Sequence, residues 1–334
     1  MKHVLFIAFI LLSVALLRGQ DIHFSQYYLS PLSLNPANTG NYNGDYRFFG
    51  NYRSQWRDID KAYNTYSAGG DMNFFPYNMN LSGGLLIIND RSGANLNVTK
   101  ILPSGAYHKN LRLLKLHFGI QPGIVIKSVD FYKNSFPDQL NWQTGHFDPT
   151  LPNNETNVQQ RFTYLDVNAG FGASRRFGKL EPEIGFALFH INQPKESFLG
   201  RKPLLKMRQA YNAIINYSVT PVVIVHAHTL YGYTSEVSDW VSGMNLEYVL
   251  TRNAFFANSV FAGMMWRSGF KRNPDAGIAT VGINYMNYTV GFSFDVTNSR
   301  LKTAVNSKGA YELAFIYKAK STHLTRRAVP CERY

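Results

Sequence analysis

Two pairs of polar residues in this chain could bind a metal ion. His226 and His228 are two apart in an apolar stretch, so on a β-strand their imidazoles share one face. Two histidines without a nearby carboxylate make an incomplete zinc site, and we interpret them as polar filler on a water-facing surface. Asp58 and Asp60 could contribute to a calcium site, although a solvated loop is the simpler interpretation. The sequence therefore predicts no cofactor and no metal.

The sequence lacks the motifs of the common enzyme classes. It contains no G-x-S-x-G, no H-E-x-x-H, no phosphate-binding glycine loop and no dinucleotide fingerprint. An outer-membrane phospholipase would need a serine, a histidine and a polar helper, and a single sequence cannot locate such a set. We predict that the protein is not an enzyme and keep a lipid hydrolase as a third hypothesis.

The two ends of the chain carry distinct signals. A short basic start and an apolar run from Val4 to Leu17 predict a secretory signal peptide over residues 1–19, cleaved between Gly19 and Gln20. Residues 319–334 are predicted to be a basic periplasmic tail, either solvated or docked on a partner. Cys331 is the only cysteine, so no internal disulfide can form. An inert thiol and an intermolecular bridge both stay open for it.

The formal net charge of +13 predicts contact with an anionic surface or an acidic partner. An exported protein seldom meets nucleic acid, and the basic residues form no nucleic-acid-binding motif. We therefore expect no nucleic acid among its partners. Outer-membrane lipid or an acidic secreted protein fits the compartment better.

The elements that must position these residues follow from a two-residue alternation. From Leu114 to Lys127 the even positions are largely apolar and the odd ones largely polar or glycine, as on a strand between oil and water. The pattern recurs about fourteen times. The predicted strands are residues 45–56, 62–75, 79–90, 96–110, 114–127, 160–176, 179–190, 205–217, 220–232, 239–250, 253–265, 275–285, 287–296 and 309–318.

This pattern predicts an all-β fold, a transmembrane antiparallel β-barrel of the outer-membrane type with about fourteen strands over residues 44–318. A closed sheet satisfies every backbone polar group within a bilayer. The aromatic share of 15%, with 21 Tyr and 24 Phe, suits the aromatic girdles of such barrels. A barrel of this width needs something to fill or cross its lumen.

The predicted connections alternate between short and long without a break. Short ones follow even-numbered strands, whereas the longest, from Ser128 to Gln159, follows the fifth strand. Outer-membrane barrels have short periplasmic turns and long external loops. We therefore predict that both termini lie in the periplasm. Mixed charges on the inward face predict pairing across the lumen, and the predicted inward residues are Lys115, His117, Lys127, Glu181, Glu183, Lys206, Arg208, His226, His228, Glu247, Asp295 and Glu312.

The start and the end of the mature chain carry a specific signature. From Gln20 the sequence reads QDIHFSQYYLSPLSLNPANTGNYNGDYRFFGNYRSQW, which closely resembles the start of the PorP/SprF family of Bacteroidetes outer-membrane proteins. Tyr311, Glu312 and Leu313 and the final four residues look like the family's last strand and its Cys-Pro-Arg-Phe ending, with Glu332 in place of proline. The motif residues that we select as partner-binding candidates are Gln26, Tyr27, Pro31, Asn35, Pro36, Ala37, Gly40, Arg53, Gln55, Trp56, Cys331, Arg333 and Tyr334.

The resemblance implies a component or accessory of the type IX secretion system, linked to gliding motility in some members. Its partners would be a secreted surface protein or adhesin and other type IX or periplasmic envelope components. The family is similar to the fatty-acid-transporter class of barrels, in which an Asn-Pro-Ala segment belongs to a hatch in the lumen. Residues 20–43 would then be a lumen hatch or a periplasmic leader. Pro31 and Pro36 argue against a regular helix there.

Our leading hypothesis from sequence is a barrel that helps to secrete, anchor or display a partner surface protein. The alternative is an outer-membrane transporter for fatty acids or other hydrophobic compounds, which would need a continuous apolar path through the lumen.

Overall fold

Fourteen antiparallel strands close into a single barrel in this computed structural model. The structure describes residues 22–57, 62–74, 80–93, 95–130, 137–148, 150–152, 160–196, 203–235, 237–252, 257–269, 274–299 and 306–319. Among these residues, no helix is both long and apolar enough to cross a membrane.

Each strand pairs with its neighbour in sequence, and the last strand pairs back with the first. The strands are β1 (Tyr46–Gln55), β2 (Tyr63–Phe74), β3 (Leu81–Ser92), β4 (Leu96–Asn110), β5 (Lys115–Val129), β6 (Arg161–Ser174), β7 (Leu180–Phe189), β8 (Arg208–Ser218), β9 (Val223–Thr234), β10 (Val237–Arg252), β11 (Ala257–Ser268), β12 (Pro274–Tyr285), β13 (Tyr288–Thr297) and β14 (Lys308–Lys318). A short hairpin, Leu140–Asn141 with His146–Phe147, lies between β5 and β6.

The predicted fold class is confirmed, including the strand that contains Pro103. In the ladder between β4 and β5 the pairing passes from Ile101 opposite Ile124 to Gly105 opposite Ile120. Pro103 and Pro122 both fall in this interruption. Because proline has no N–H to donate, two prolines are tolerated where the ladder is already open.

The predicted alternation of connection lengths is wrong at two places. Residues 93–95 join β3 to β4, and residues 235–236 join β9 to β10, so these two connections are as short as those on the opposite rim. The prediction ended the third strand at Asp90, where apolar alternation stops. The ladder continues through Arg91 and Ser92, since strands can extend into water beyond the apolar band, where both faces are polar.

The two rims of the barrel nevertheless differ. One rim, here called the long-connection rim, carries residues 130–160, 190–207 and 298–307. The opposite, short-connection rim carries residues 75–80, 111–114, 175–179, 219–222, 253–256 and 286–287, together with the start of β1 and the end of β14.

The outer face is apolar and the inner face is polar. On β5 the outward side chains include the exposed Phe118, Ile120 and Ile124, whereas the inward His117 and Gln121 are buried. Aromatic side chains mark both ends of the apolar band. Tyr46, Tyr288 and Tyr317 lie at the short-connection rim, and Trp240 and Trp266 lie nearer the long-connection rim. The pattern is that of a barrel in a bilayer.

Candidate functional site: the inner segment

Residues 22–44, here called the inner segment, lie inside the barrel. They form three short helical turns, Tyr27–Leu29, Pro31–Leu34 and Pro36–Asn38. Proline stands at the first position of the second and third turns, where its missing N–H costs nothing and its fixed φ favours a new turn. Pro31–Leu34 is a single turn of α-helix, and it ends before Pro36.

The Asn-Pro-Ala part of the inner segment is bonded to the wall. The Asn35 side-chain oxygen accepts a hydrogen bond from the Ala37 N–H at 2.9 Å. Its amide nitrogen donates to the carbonyl oxygens of Phe171 on β6 and Phe186 on β7, at 3.0 and 3.3 Å. One asparagine therefore shapes its own turn and ties it to two neighbouring strands.

Glycine makes room for this turn. A Cβ at Gly119 on β5 would lie 2.3 Å from the carbonyl carbon and oxygen of Pro36. No side chain fits there unless the inner segment moves. Ala37 is fully buried in the same contact region.

The end of the inner segment is fixed near the short-connection rim. Gly40 has φ +74°, a conformation that favours glycine, and its N–H donates to Asp71 on β2 at 2.6 Å. Arg47 donates to both oxygens of the Asp71 carboxylate, at 2.9 and 2.6 Å, and also to the Asn38 carbonyl. This buried ion pair therefore orients the carboxylate that holds Gly40.

The beginning of the inner segment is fixed where the barrel closes. The N–H groups of Ser25 and Gln26 donate to the two oxygens of the Glu312 carboxylate on β14, at 2.5 and 2.8 Å. The Ser25 hydroxyl donates to Asp295 on β13 at 2.8 Å. Arg53 on β1 contacts both Glu312 and Asp295.

A second arginine completes this buried cluster. Arg267 on β11 lies 3.0 Å from Asp295 and 3.0 Å from Asp275, and it donates to the Ser25 hydroxyl at 3.2 Å. Arg267 is next to the last residue of β11, so the cluster lies toward the long-connection rim. The inner segment therefore runs the length of the lumen, from Ser25 near one rim to Gly44 near the other.

Apolar side chains of the inner segment form two clusters with apolar side chains of the wall. Tyr27 and Leu34 pack with Phe189, Met265 and Ile278. On the other side, the wall residues that pack with Leu29 and Leu32 include Phe49, Leu86 and Leu102. Burial of these side chains adds a hydrophobic contribution to the polar ties.

Tyr28 is packed flat against the wall. Its ring stacks on His228 at 4.3 Å between centroids, with an interplanar angle of 8°, and its hydroxyl accepts a hydrogen bond from Asn245 at 3.0 Å. Burial raises the pKa of the Tyr28 hydroxyl to about 12. The ring therefore stays neutral at physiological pH.

A chain of hydrogen bonds links three wall residues to the inner segment. His108 Nε2 lies 2.8 Å from the Thr39 carbonyl, and since a carbonyl only accepts, this nitrogen carries the proton. In a neutral ring His108 Nδ1 then accepts from His117 Nδ1, 2.7 Å away. His117 Nε2 in turn accepts from the Ser174 hydroxyl at 3.1 Å.

The two candidate metal-binding histidines contact different partners. His226 Nε2 lies 2.6 Å from Glu247, and its Nδ1 lies 2.7 Å from the Asn216 amide oxygen, while His228 faces Tyr28. Among the residues that the structure describes, no group of three His, Cys, Asp or Glu side chains could hold a metal ion. Asp58 and Asp60 lie outside the described residues.

The predicted pairing of inward charges occurs for several residues. Lys127 pairs with Glu196, and Arg208 lies 3.8 Å from Asp239. Glu183 accepts a hydrogen bond from Asn41 of the inner segment. Lys206 is predicted to lie on a strand, and this is wrong, because β8 begins two residues after it. Before it, Lys195 and Leu204 form an isolated bridge, and the Leu205 N–H donates to the Pro194 carbonyl.

The remaining candidate residues fall into three groups. Gln55 accepts hydrogen bonds from Arg53, and Trp56, with φ +55°, packs edge to face on Tyr63 at the long-connection rim. Gln26, Tyr27, Pro31 and the others up to Gly40 belong to the inner segment. Gly19, Gln20, Cys331, Arg333 and Tyr334 lie outside the described residues, and a partner-binding role stays a prediction for every residue in the set.

Several residues that hold the inner segment were not among the candidates predicted from the sequence. They are Ser25, Arg47, Asp71, His108, Gln121, Ser174 and Arg267. Arg47 and Asp71 lie on the polar face of predicted strands, so strand parity could have found them. Arg267 lies beyond the predicted end of its strand, and no pattern in the sequence pointed to it.

A protein-family model matches most of the chain. Residues 17–317 match the type IX secretion system membrane protein PorP/SprF. The chain belongs to the PorP/SprF family. This places it in the outer membrane as a type IX secretion system membrane protein, in agreement with the closed barrel. None of the curated proteins matches the chain in sequence.

Solved structures of outer-membrane barrels are similar in fold. The toluene transporter TbuX of Ralstonia pickettii has a TM-score of 0.51 at 10% identity, covering 86% of this chain and 94% of its own. A FadL homologue of Pseudomonas aeruginosa has a TM-score of 0.48 at 10% identity, covering 85% and 92%. At this identity the likeness to TbuX shows the fold alone. The family is one of secretion-system membrane proteins, and TbuX is a toluene transporter.

Proposed function

We propose that this PorP/SprF barrel helps to secrete, anchor or display a partner surface protein, using its rims and not an open lumen. The observation that carries the proposal is the inner segment. It is tied to the wall at both ends and in the middle, through Glu312, Asp71 and the Asn35 contacts. We infer that a lumen occupied in this way is closed to a folded or unfolded cargo.

The rims are then the surfaces left for partners. The long-connection rim carries a folded loop in which Asn141 caps a hairpin turn by accepting from the N–H groups of Gln143 and Thr144. Trp142 at the tip of this hairpin is 86% exposed. We propose that this rim faces outward and meets the surface protein or adhesin, while the end of β14 and the C-terminal tail face periplasmic components of the secretion system.

Deletion of the gene tests the proposal. The deletion strain should retain its cognate surface protein inside the cell or release it to the medium, as measured by mass spectrometry of surface, cell and medium fractions. Complementation with the full-length gene is the control. Unchanged surface display of every type IX cargo would refute the role in secretion.

A transporter for hydrophobic compounds is the second candidate, favoured by the two apolar clusters on the inner wall. Tyr27, Leu29, Leu32 and Leu34 of the inner segment cover the wall side chains of these clusters, so transport would require the segment to leave. The test is uptake of a labelled fatty acid by deletion and complemented cells. Equal uptake removes this candidate, whereas loss of uptake with normal surface display would favour it over the secretion role.

A further inference from the structure

Among the connections of the short-connection rim, basic residues occur in one sector only. Of the six short connections, residues 111–114 and 175–179 contain Arg112, Arg175, Arg176 and Lys179. The other four connections contain no charged residue in their sequences. An even scatter of cations around the rim would not produce this division.

The two charged connections are neighbours on the barrel. The first joins β4 to β5 and the second joins β6 to β7, and β5 pairs directly with β6, with Lys115 opposite Ser174. Lys109 and Lys115 flank the first connection. Lys115 shares the inward face of β5 with His117, so we call the other five residues, Lys109, Arg112, Arg175, Arg176 and Lys179, the basic sector.

The basic sector keeps a large excess of positive charge. All of its side chains are exposed except that of Arg175, which is half-buried. Glu181 pairs with Arg176 at 3.0 Å. Glu183, the other acidic residue on β7, is bonded to Asn41 in the lumen. One exposed carboxylate therefore faces five cations.

Apolar side chains accompany these cations. Leu111, Leu113 and Phe177 are each close to half exposed or more. The Arg175 guanidinium lies 3.9 Å above the Phe177 ring, an arrangement in which the planar fork keeps its N–H edge available for phosphate oxygens. On β4, Lys109 follows Tyr107 on the outward face, at the edge of the apolar band.

We propose that the basic sector binds anionic phospholipid in the membrane leaflet that meets the short-connection rim. Arginine and lysine would bind the headgroup phosphate, while Leu111, Leu113 and Phe177 contact the upper acyl chains. An acidic protein segment could match the positive charge of the basic sector, but it would not account for the exposed apolar side chains beside it at the edge of the bilayer. Membranes attract such basic clusters in proportion to their number of cations.

Native mass spectrometry of the full mature protein in detergent tests this proposal, with phosphatidylglycerol and phosphatidylcholine of identical acyl chains as probes. Wild type should prefer phosphatidylglycerol. The double variant Arg112→Gln with Arg175→Gln should bind it about tenfold more weakly. The matched control, Arg91→Gln with Arg161→Gln, removes the same charge from exposed positions at the opposite rim and should bind like wild type.

A charge-conserving variant separates binding from folding. Arg112→Lys with Arg175→Lys should retain most of the affinity, and all variants should keep the heat-modifiable gel migration of a folded barrel. The proposal would be overturned if wild type bound the two lipids equally. It would also be overturned if the two glutamine double variants lost the same affinity for phosphatidylglycerol. Tighter binding of oligoglutamate than of phosphatidylglycerol, weakened by the same pair of glutamine substitutions, would overturn it in favour of an acidic protein partner.

Discussion

Arg53 and Glu312 face each other directly across the seam at which β1 and β14 close the barrel. Their charged groups are in contact and almost fully buried, with side-chain exposures of 3% and 1%. The same Glu312 carboxylate accepts the N–H groups of Ser25 and Gln26. One carboxylate therefore joins the pair of strands that closes the barrel to the start of the inner segment.

Glu312→Gln should strongly destabilise the protein. The substitution preserves the size of the side chain but leaves the buried Arg53 without one of its two anionic partners, and loss of one member of a buried pair costs about 3–5 kcal/mol. The free energy of unfolding can be measured by urea titration of the folded gel band in lipid or detergent.

Glu196→Gln is the matched control for that experiment. Glu196 pairs with Lys127, but the two side chains are 25% and 16% exposed, so water already screens the pair. We expect a loss of about 1 kcal/mol or less. If both variants lost the same free energy of unfolding, the buried cluster around Glu312 would have no special role in stability.

Gly119→Ala should displace the inner segment without altering the wall. The added methyl group would overlap the Pro36 carbonyl, and such overpacking costs about 1–3 kcal/mol. Limited proteolysis should cut within residues 22–44 faster in this variant than in wild type. Gly277→Ala, where a Cβ would meet nothing within 4 Å, should behave as wild type; an equal rate of cutting in all three proteins would contradict the proposed contact.

The orientation of the barrel predicts which residues reach the cell surface. A cysteine in place of the exposed Trp142 should react with a membrane-impermeant maleimide on intact cells. A cysteine in place of Val219, which is exposed on a short connection, and the native Cys331 should react only after the outer membrane is permeabilised. Labelling of Val219→Cys and Cys331 on intact cells, with Trp142→Cys protected, would reverse the orientation.

Ser174 should not act as a nucleophile. It donates to His117 in the manner of a serine hydrolase, but His117 is 3% exposed and the chain of hydrogen bonds ends on the Thr39 carbonyl of the inner segment. A lipid ester cannot reach a base that is covered in this way. A fluorophosphonate probe should leave the protein unlabelled; labelling that disappears in Ser174→Ala, together with phospholipid turnover, would support the hydrolase hypothesis instead.

The strand content could be predicted from sequence because alternation is a local property. All fourteen strands overlap their predicted ranges, and Leu96–Asn110 agrees at both ends. The predicted strand ends were less accurate near water. The ladder continues through Arg91 and Ser92 by backbone hydrogen bonds, and the sequence there has no apolar alternation that would reveal them. Polar residues at strand ends in water can lie on either face of the sheet with little change in free energy.

The contacts of the inner segment could not be predicted in the same way. The family motif drew attention to Arg53 at one end of the chain and to Glu312 at the other, but their pairing depends on closure of the whole barrel. Likewise the Gly40 contact with Asp71 and the Ser25 contact with Arg267 join residues whose proximity is set by register and barrel circumference. No periodicity within one strand contains that information.

Single-channel current across a planar bilayer is the sharpest measure of whether the inner segment closes the lumen. Wild-type protein should insert as a folded barrel and conduct little or no steady current, whereas a variant lacking residues 25–40 should give stable open channels. A steady large conductance from wild type, unchanged by that deletion, would contradict a lumen filled by the inner segment.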